Sequence, residues 1–273
     1  MKEISPALIG EELTEEQINR LRFEIQNHYD VELSSEAIVL GDNKVQRWFD
    51  AKKTEIDWGY WPAYKESLLM KKRERKVIDE NEKIIDSILD FSGDPKSEDK
   101  AWSRKGLVMG NVQSGKTQNY IGLINKAFDC GYKVVILLGG HMNELRKQTQ
   151  IRIDEDVIGL ESKHLILNNM RKKIGVSNYR RDGLEVATFT STEGDFSKRV
   201  ATSLNISFSA LNAPVIITVK KNTTILKNLI NYITESSALE GDKKLDVPML
   251  LIDDEADYAS VNGLADRNRV SRT

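Results

Sequence analysis

The chain has 273 residues, of which 40% are hydrophobic and 30% charged, and its formal net charge is −2. This composition is typical of a globular protein with a sizeable core. It excludes the overall positive charge of many nucleic-acid-binding proteins, although a local basic patch can still bind nucleic acid. The one cysteine, Cys130, excludes an intramolecular disulfide and a cysteine-rich metal site, and it fits a reducing, cytoplasmic location. The sequence has no signal-peptide pattern and no apolar stretch long enough to cross a bilayer, so we expect no membrane partner.

The first third of the chain is predicted to be helical. Thr14 and Gln17 have the spacing of a capping box at a helix start. A second helix is predicted over residues 64–91, because apolar residues recur there at helical spacing and the Gly-Asp-Pro at residues 93–95 stops it. This helix would carry the basic run at residues 71–76, which indicates either a solvated face or a contact with nucleic-acid phosphates.

From about residue 105 the pattern changes to strands that alternate with helices. Apolar runs predict strands over residues 106–109, 134–138, 185–190, 214–219 and 248–252. Amphipathic spacing predicts helices over residues 117–128, 143–151 and 224–233. Gly131 is the expected end of the first of these helices. Alternation of this kind predicts an α/β fold with a parallel sheet and helices on both faces.

A glycine-rich segment follows the first of these predicted strands. It matches G-x-x-x-x-G-K-[ST] at each fixed position, with residues Gly110, Asn111, Val112, Gln113, Ser114, Gly115, Lys116 and Thr117. The glycines let backbone N–H groups surround a phosphate, and the next helix directs the positive end of its dipole at the same anion. Lys116 would reach the β- and γ-phosphates and take part in catalysis, and the Thr117 hydroxyl would bind Mg²⁺. The segment therefore predicts a site for ATP and Mg²⁺.

An acidic cluster follows the last predicted strand. Carboxylates at the carboxyl edge of a parallel sheet face the crevice in which ligands bind. We expect Asp254 to hold the Mg²⁺ and Glu255 to be the catalytic base that orients or deprotonates the attacking water. Asp253 is a candidate for a structural role at the strand end. Combined with the glycine-rich segment, this cluster predicts an ATP hydrolase.

The four residues Asp254-Glu255-Ala256-Asp257 spell the DEAD motif, and there the chain resembles superfamily-two helicases and translocases. Over residues 102–262 it resembles more closely the Z-one domain family, bacterial proteins found near restriction and phage-defence genes and described as endonucleases. The resemblance lies in residues 106–117, 131–133, 145–150, 219–222 and 252–260. It implies a helicase-like ATPase core with DNA as the expected substrate. No nuclease motif in the sequence supports the endonuclease description.

Three polar residues near the predicted sheet edge are candidates for nucleic-acid contacts. Arg146 and Gln148 lie on a predicted helix and are suited to donate to phosphate oxygens, but an exposed helix face explains them equally well. Lys220 follows a predicted strand, and next to it Asn222 or Thr223 fits a helix cap.

An aromatic cluster precedes the basic run, with residues Trp58, Tyr60, Trp61 and Tyr64. One interpretation is that these rings stack on adenine or on a nucleic-acid base. The other is that they form a hydrophobic anchor between the helical region and the core.

These patterns predict a helical region over residues 1–100 and a RecA-like P-loop ATPase lobe over residues 101–273. The expected function is ATP hydrolysis coupled to movement on DNA or its remodelling, linked to bacterial restriction or phage defence. The alternative is a nucleotide-controlled switch or scaffold that binds protein partners without motor activity.

Helicase-type motors place ATP between two lobes, of which the second supplies an arginine to the γ-phosphate. Too few residues follow the acidic cluster to form that lobe. We therefore expect a second lobe or partner subunit to complete the site, and slow hydrolysis by this chain alone.

Overall fold

The computed structural model describes residues 47–97, 102–109, 115–163, 165, 171–204, 212–238 and 247–256. The predicted capping box at Thr14 and Gln17 and the loop residues 110–114 lie outside these described residues. The chain forms two compact units. The smaller consists of Met1–Leu40 and Val108–Lys116, and the larger comprises the remaining residues, including the whole sheet. The predicted domain boundary near residue 100 stays a prediction.

Three α-helices come before the glycine-rich segment in the described part of the chain: α1 (Phe49–Lys52), α2 (Tyr60–Met70) and α3 (Arg75–Phe91). The single helix predicted over residues 64–91 is therefore wrong, although its end before Gly93 is right. The chain turns at Lys72, whose φ is 61°, and the Arg73 N–H donates to the Leu68 carbonyl at 3.0 Å to close α2. Residues 71–74 carry no apolar side chain to pack on the core, so burial does not hold this turn in a helix.

The basic run at residues 71–76 is divided between this turn and the start of α3, and it does not lie on one continuous helix. Its first residue, Lys71, contacts Glu155 Oε1 at 3.0 Å and Asp156 Oδ1 at 2.7 Å. All the basic residues of the run are exposed, and Lys76 contacts Glu80 one turn further along α3 at 3.9 Å. Lys71 is therefore the lysine of the run that makes ion pairs with a distant segment of the fold.

The sheet has four strands, β1 (Val134–Gly139), β2 (Ala187–Thr188), β3 (Val215–Val219) and β4 (Met249–Asp254). The helices around it are α4 (Lys116–Cys130), α5 (Asn143–Ile153), α6 (Lys198–Ser203) and α7 (Thr223–Ala238). All strand pairs are parallel, in the order β2-β3-β1-β4. Leu138 lies opposite Val219 on one side and Asp253 on the other, so β1, β3 and β4 end at one edge. The protein thus has an α/β fold with a small, all-parallel sheet.

Most of the predicted elements of this part are present. The strands predicted over residues 134–138, 214–219 and 248–252 and all three predicted helices are confirmed, with changes at their ends. The strand predicted over residues 185–190 is shortened to β2. Beyond β2, the Thr218 N–H donates to Thr190 Oγ1 at 3.0 Å. This side-chain hydrogen bond takes the place of a backbone bond between the two strands.

The strand predicted over residues 106–109 is wrong. No described strand pairs with this segment, and Leu107 and Met109 are 74% and 85% exposed. An apolar run becomes a strand only where a neighbour accepts and donates its backbone hydrogen bonds, and apolar residues alone do not provide that neighbour.

Two hydrophobic clusters bury the two faces of the sheet. Successive residues of a strand point to opposite faces. Val135 and Leu137 of β1 therefore belong to one cluster, with residues of α1–α5, whereas Val134 and Ile136 belong to the other, with residues of β3 and α7. The continuous apolar runs of the strands reflect this two-sided burial.

The aromatic residues of α2 belong to the first cluster. Tyr60, Trp61 and Tyr64 are 6%, 5% and 1% exposed, and the Tyr60 hydroxyl donates to the Glu185 carbonyl at 3.1 Å. The interpretation as a hydrophobic anchor is confirmed for these three residues. Their rings are not available to stack on a base in this conformation.

A lysine is fully buried beside these rings. The Lys126 ammonium donates to Glu82 Oε1 at 2.8 Å and also to Asp86, both on α3. It lies 4.7 Å from the ring centroid of Trp61 and 5.4 Å from that of Trp58. We refer to these five residues as the Lys126 cluster. It joins α3 to α4 through buried charge and aromatic contacts.

Helix α4 ends as predicted at Gly131. The φ of this residue is 112°, and its N–H donates to the carbonyls of Ala127 and Phe128 at 3.1 Å each. The neighbouring Cys130 is 2% exposed, and burial raises the pKa of its thiol to about 12. Within the described part of the chain, the helices are too short or too polar to span a membrane.

Candidate functional site

Polar side chains and backbone groups from several elements meet at the carboxyl edge of the sheet. Gly140 follows β1, Lys221 comes after β3, and Asp253 and Asp254 end β4. In a parallel sheet this edge is the usual position of a ligand site. The first turn of α4 reaches the same edge, because Thr117 on α4 and Asp254 on β4 contact a common side chain.

The glycine-rich segment leads directly into α4. Gly115 has a φ of 75°, a left-handed conformation that glycine adopts without strain. Helix α4 begins at the next residue, Lys116, which is exposed, and Thr117 lies half-buried in its first turn. A helix that starts at the lysine of this motif has free N–H groups in its first turn, as a phosphate site requires.

Thr117 and Asp254, the two residues predicted to bind Mg²⁺, both lie close enough to the hydroxyl group of Tyr120 to shift its pKa. Burial raises the pKa of this hydroxyl and the negative charge of Asp254 raises it further, so the phenol stays protonated. Arg152, at the end of α5, donates from Nη1 to the Thr117 hydroxyl at 3.3 Å. A hydroxyl, a carboxylate and a guanidinium thus meet around one tyrosine.

Glu255 follows β4 in a conformation that is unusual for a residue with a side chain. Its φ is 56°, in the left-handed region that disfavours a Cβ. Its N–H donates to Asp254 Oδ1 at 3.0 Å. Its exposed carboxylate lies near Gly140, where an added Cβ would be 3.4 Å from Glu255 Oε2. The predicted base is therefore open to water at the end of β1.

Lys221 contacts the same acidic segment from the neighbouring loop. The residue is 8% exposed, and its ammonium lies 2.7 Å from Asp253 Oδ1 and donates to the Glu255 carbonyl at 2.6 Å. Its backbone N–H donates to the Gly140 carbonyl at 2.7 Å. Asp253 therefore has the structural partner that its predicted alternative role requires. Lys221 itself was not among the predicted site residues, because its partners lie on another strand.

Arg146 is inside the fold. It is 4% exposed, and its guanidinium donates to the Ser191 carbonyl at 2.9 Å and the Thr192 carbonyl at 3.4 Å, with Asp195 Oδ2 at 3.8 Å. Burial lowers the pKa of the guanidinium, and the charge of Asp195 opposes that change. The alternative of an exposed helix face is wrong for Arg146. A contact with nucleic acid stays a prediction, and it would require the release of these bonds.

The other two nucleic-acid candidates are nearer the surface. Gln148 is exposed on α5, and Lys220 is half-buried, with its ammonium donating to Asn143 Oδ1 at 2.6 Å. The predicted cap is confirmed for Asn222, whose Oδ1 accepts from the N–H groups of Thr224 at 3.1 Å and Ile225 at 3.2 Å.

The described residues fit Mg²⁺ with a nucleotide. The Thr117 hydroxyl and the Asp254 carboxylate are hard oxygen donors brought together by Tyr120. Among the described residues no three His, Cys, Asp or Glu side chains form a metal cluster. Mg²⁺ commonly binds through one or two protein oxygens, with phosphate oxygens and water as its other ligands. This donor set therefore suits Mg²⁺ bound together with a phosphate compound.

No family model, curated protein or solved structure matches this chain. The geometry establishes an α/β protein with a parallel sheet and a polar site at its carboxyl edge. Its activity has to be argued from the residues at that edge.

Proposed function

We propose that this chain is the ATP-binding lobe of a helicase-like, DNA-directed ATPase with a RecA-like fold. The observation that carries the proposal is the meeting of Thr117 and Asp254 at the Tyr120 hydroxyl. Thr117 closes a complete phosphate-loop sequence, and Asp254 ends a strand of the sheet. ATPases of this class need one such hydroxyl and one such carboxylate at the same Mg²⁺.

The residues of the site divide the chemistry between them. Backbone N–H groups of residues 110–117 and the Lys116 ammonium bind the phosphates. Thr117 and Asp254 hold Mg²⁺, which neutralises charge on the phosphate oxygens when it is bound. Glu255 orients a water molecule and accepts its proton during attack on the terminal phosphate.

DNA as the substrate, and a link to bacterial restriction or phage defence, come from the resemblance to the Z-one domain family. The resemblance to helicases supports a second RecA-like lobe or a partner subunit that supplies an arginine to the γ-phosphate. A cytoplasmic location, which the single cysteine favours, is part of the same proposal.

ATP binding and hydrolysis by three variants test the proposal. Lys116→Ala should lose tight ATP binding, because the terminal phosphates lose the ammonium of the loop. Glu255→Gln should bind ATP like the wild type but hydrolyse it about 10²–10⁴-fold more slowly, since it keeps the shape and removes the base. Lys227→Ala, an exposed position on α7, should change neither quantity.

Calorimetry with Mg-ATP gives the Kd, and single-turnover phosphate release with enzyme in excess gives the hydrolysis rate, with and without single- and double-stranded DNA. An unchanged Kd in Lys116→Ala would contradict the nucleotide site. Lost binding in Glu255→Gln with normal turnover per bound ATP would contradict the role of Glu255. ATP binding without any hydrolysis by the wild type, in the presence or absence of DNA, would favour the nucleotide-controlled switch.

A further inference from the structure

One buried lysine connects the ends of three strands at the candidate site. Lys221 follows β3, its N–H donates to the carbonyl of Gly140 after β1, and its ammonium contacts the end of β4. The side chain is 3% exposed, so its charge is shielded from bulk water. A lysine is rarely buried to this extent unless it is paired, and here both partners belong to the acidic segment.

The contact with Glu255 acts on a strained part of the backbone. A left-handed conformation is sterically disfavoured for a residue with a Cβ and persists only where neighbouring groups hold it. Among the described residues, Lys72 is the other non-glycine residue with positive φ, and it lies in a turn at the end of α2. Glu255 does not end a helix. Its carbonyl instead accepts from the Lys221 ammonium at 2.6 Å, and its N–H is bonded to Asp254.

The contact with Asp253 separates the acidic residues by role. Asp253, Asp254 and Glu255 are consecutive carboxylates that repel one another. The Lys221 ammonium, 2.7 Å from Asp253 Oδ1, neutralises the first of them. Asp254 remains free to contact Tyr120, and the Glu255 carboxylate remains exposed beside Gly140.

We propose that Lys221 is the positioning residue of the hydrolytic site. Its ammonium holds the Glu255 carbonyl and thereby keeps the backbone of Glu255 in the left-handed conformation. That conformation directs the Glu255 carboxylate towards solvent at the carboxyl edge of the sheet. This inference rests on the proposed function, because it assigns a role in ATP hydrolysis. Lys221 itself touches neither ATP nor the attacking water.

Lys221→Met tests this role, since it keeps the apolar length of the side chain and removes the ammonium. The variant should bind Mg-ATP with a Kd within about threefold of the wild type, because the phosphate loop and Asp254 are unchanged. Its single-turnover hydrolysis should be about tenfold to a hundredfold slower, as expected when a catalytic group is displaced by about 1 Å. Lys221→Arg, which keeps a cation, should recover part of the rate. Lys227→Met is the matched control on α7 and should hydrolyse ATP at the wild-type rate.

A double variant separates positioning from a general effect on the fold. If Lys221 acts through the Glu255 carboxylate, Lys221→Met should slow Glu255→Gln by no more than about twofold, because the group that it positions is already inactive. If the double variant is slowed by the product of the two single-variant factors, the inference is overturned. A wild-type rate in folded Lys221→Met would overturn it too. Should that variant fail to fold, Lys221→Arg decides: slower hydrolysis at unchanged ATP affinity supports positioning, and wild-type hydrolysis overturns it.

The proposed function has separate readouts in the same experiment. It fails if wild-type protein does not bind ATP, or if Lys116→Ala binds it normally. The positioning role fails alone if Lys116→Ala and Glu255→Gln behave as expected and the Lys221 variants do not.

Discussion

The Lys126 cluster and the acidic end of β4 hold charged groups in opposite surroundings. Lys126 is completely buried, and its partners Glu82 and Asp86 also contact Lys65 and Lys53. At the end of β4, Asp254 is half-buried and Glu255 is exposed. The charges of the first group have partners within the fold, whereas those of the second can still accept a cation or a water proton. Burial and pairing therefore distinguish a structural group of charges from one suited to chemistry.

The pKa of Glu82 shows how strongly the charges of the Lys126 cluster are paired. Burial alone would raise this pKa, but hydrogen bonds from Lys126 and Lys65 outweigh burial and lower it to about 2 from 4.5. A lowered folded-state pKa means that the stabilisation is present above pH 4.5 and is lost as the pH falls towards 2. Near neutral pH Glu82 therefore stays ionised, and its contribution to stability is fully present.

The largest expected effect on stability is that of Lys126→Met. Removal of the ammonium leaves Glu82 and Asp86 beside aromatic rings without their buried cation, which should lower the free energy of unfolding by about 3–5 kcal/mol. Urea unfolding measures the change. Lys76→Met on α3, where the lysine side chain is 78% exposed, is the control and should stay within about 0.5 kcal/mol of the wild type. Equal effects at the two positions would contradict the distinction between buried and exposed charge.

Arg146→Ala should have the next largest effect. It leaves the carbonyls of Ser191 and Thr192 and the Asp195 carboxylate without their donor, at a cost of about 1.5–3 kcal/mol in unfolding free energy. Gln148→Ala, at an exposed position on the same helix, is the control. If Arg146→Ala loses DNA affinity but keeps wild-type stability, the result would instead support the predicted contact with a DNA phosphate.

The smallest expected effect on stability is at the acidic end of β4. Asp254→Asn keeps the oxygen that accepts the Glu255 N–H, so the unfolding free energy should change by less than about 0.5 kcal/mol. The loss of the carboxylate charge should nevertheless abolish the increase in ATP affinity that Mg²⁺ gives. Calorimetric titrations with ATP in Mg²⁺ and in EDTA measure that increase. An unchanged Mg²⁺ effect in the variant would remove Asp254 from the metal site.

Local sequence patterns were sufficient where one segment carries its own signal. The strands β1, β3 and β4 are continuous apolar runs in the sequence, and Gly131 indicates where α4 ends. The patterns failed where the outcome depends on distant partners. Helical spacing continues across residues 71–74, although no packing holds that turn. The apolar run at residues 106–109 gives no indication that none of the described strands pairs with it.

The same reasoning explains what could be predicted of the candidate site. Thr117 and Asp254 belong to local motifs, and each motif requires a particular residue type at a particular spacing. Lys126 belongs to no motif, and the segment 219–222 that contains Lys221 does not indicate which residues that lysine contacts. The Lys126 contacts join residues 44 and 40 positions apart, and the contact of Lys221 with Glu255 spans 34. Single-sequence periodicity contains no information on such pairs.

The buried thiol of Cys130 makes the chain its own reporter of local opening. The thiolate is the form that reacts with thiol reagents. A pKa of about 12, in a residue that is only 2% exposed, keeps that form scarce in the native state. Labelling then proceeds only through conformations in which the end of α4 separates from the core. Its rate measures the free energy of that opening under native conditions. Since the chain has one cysteine, the signal comes from a single known position.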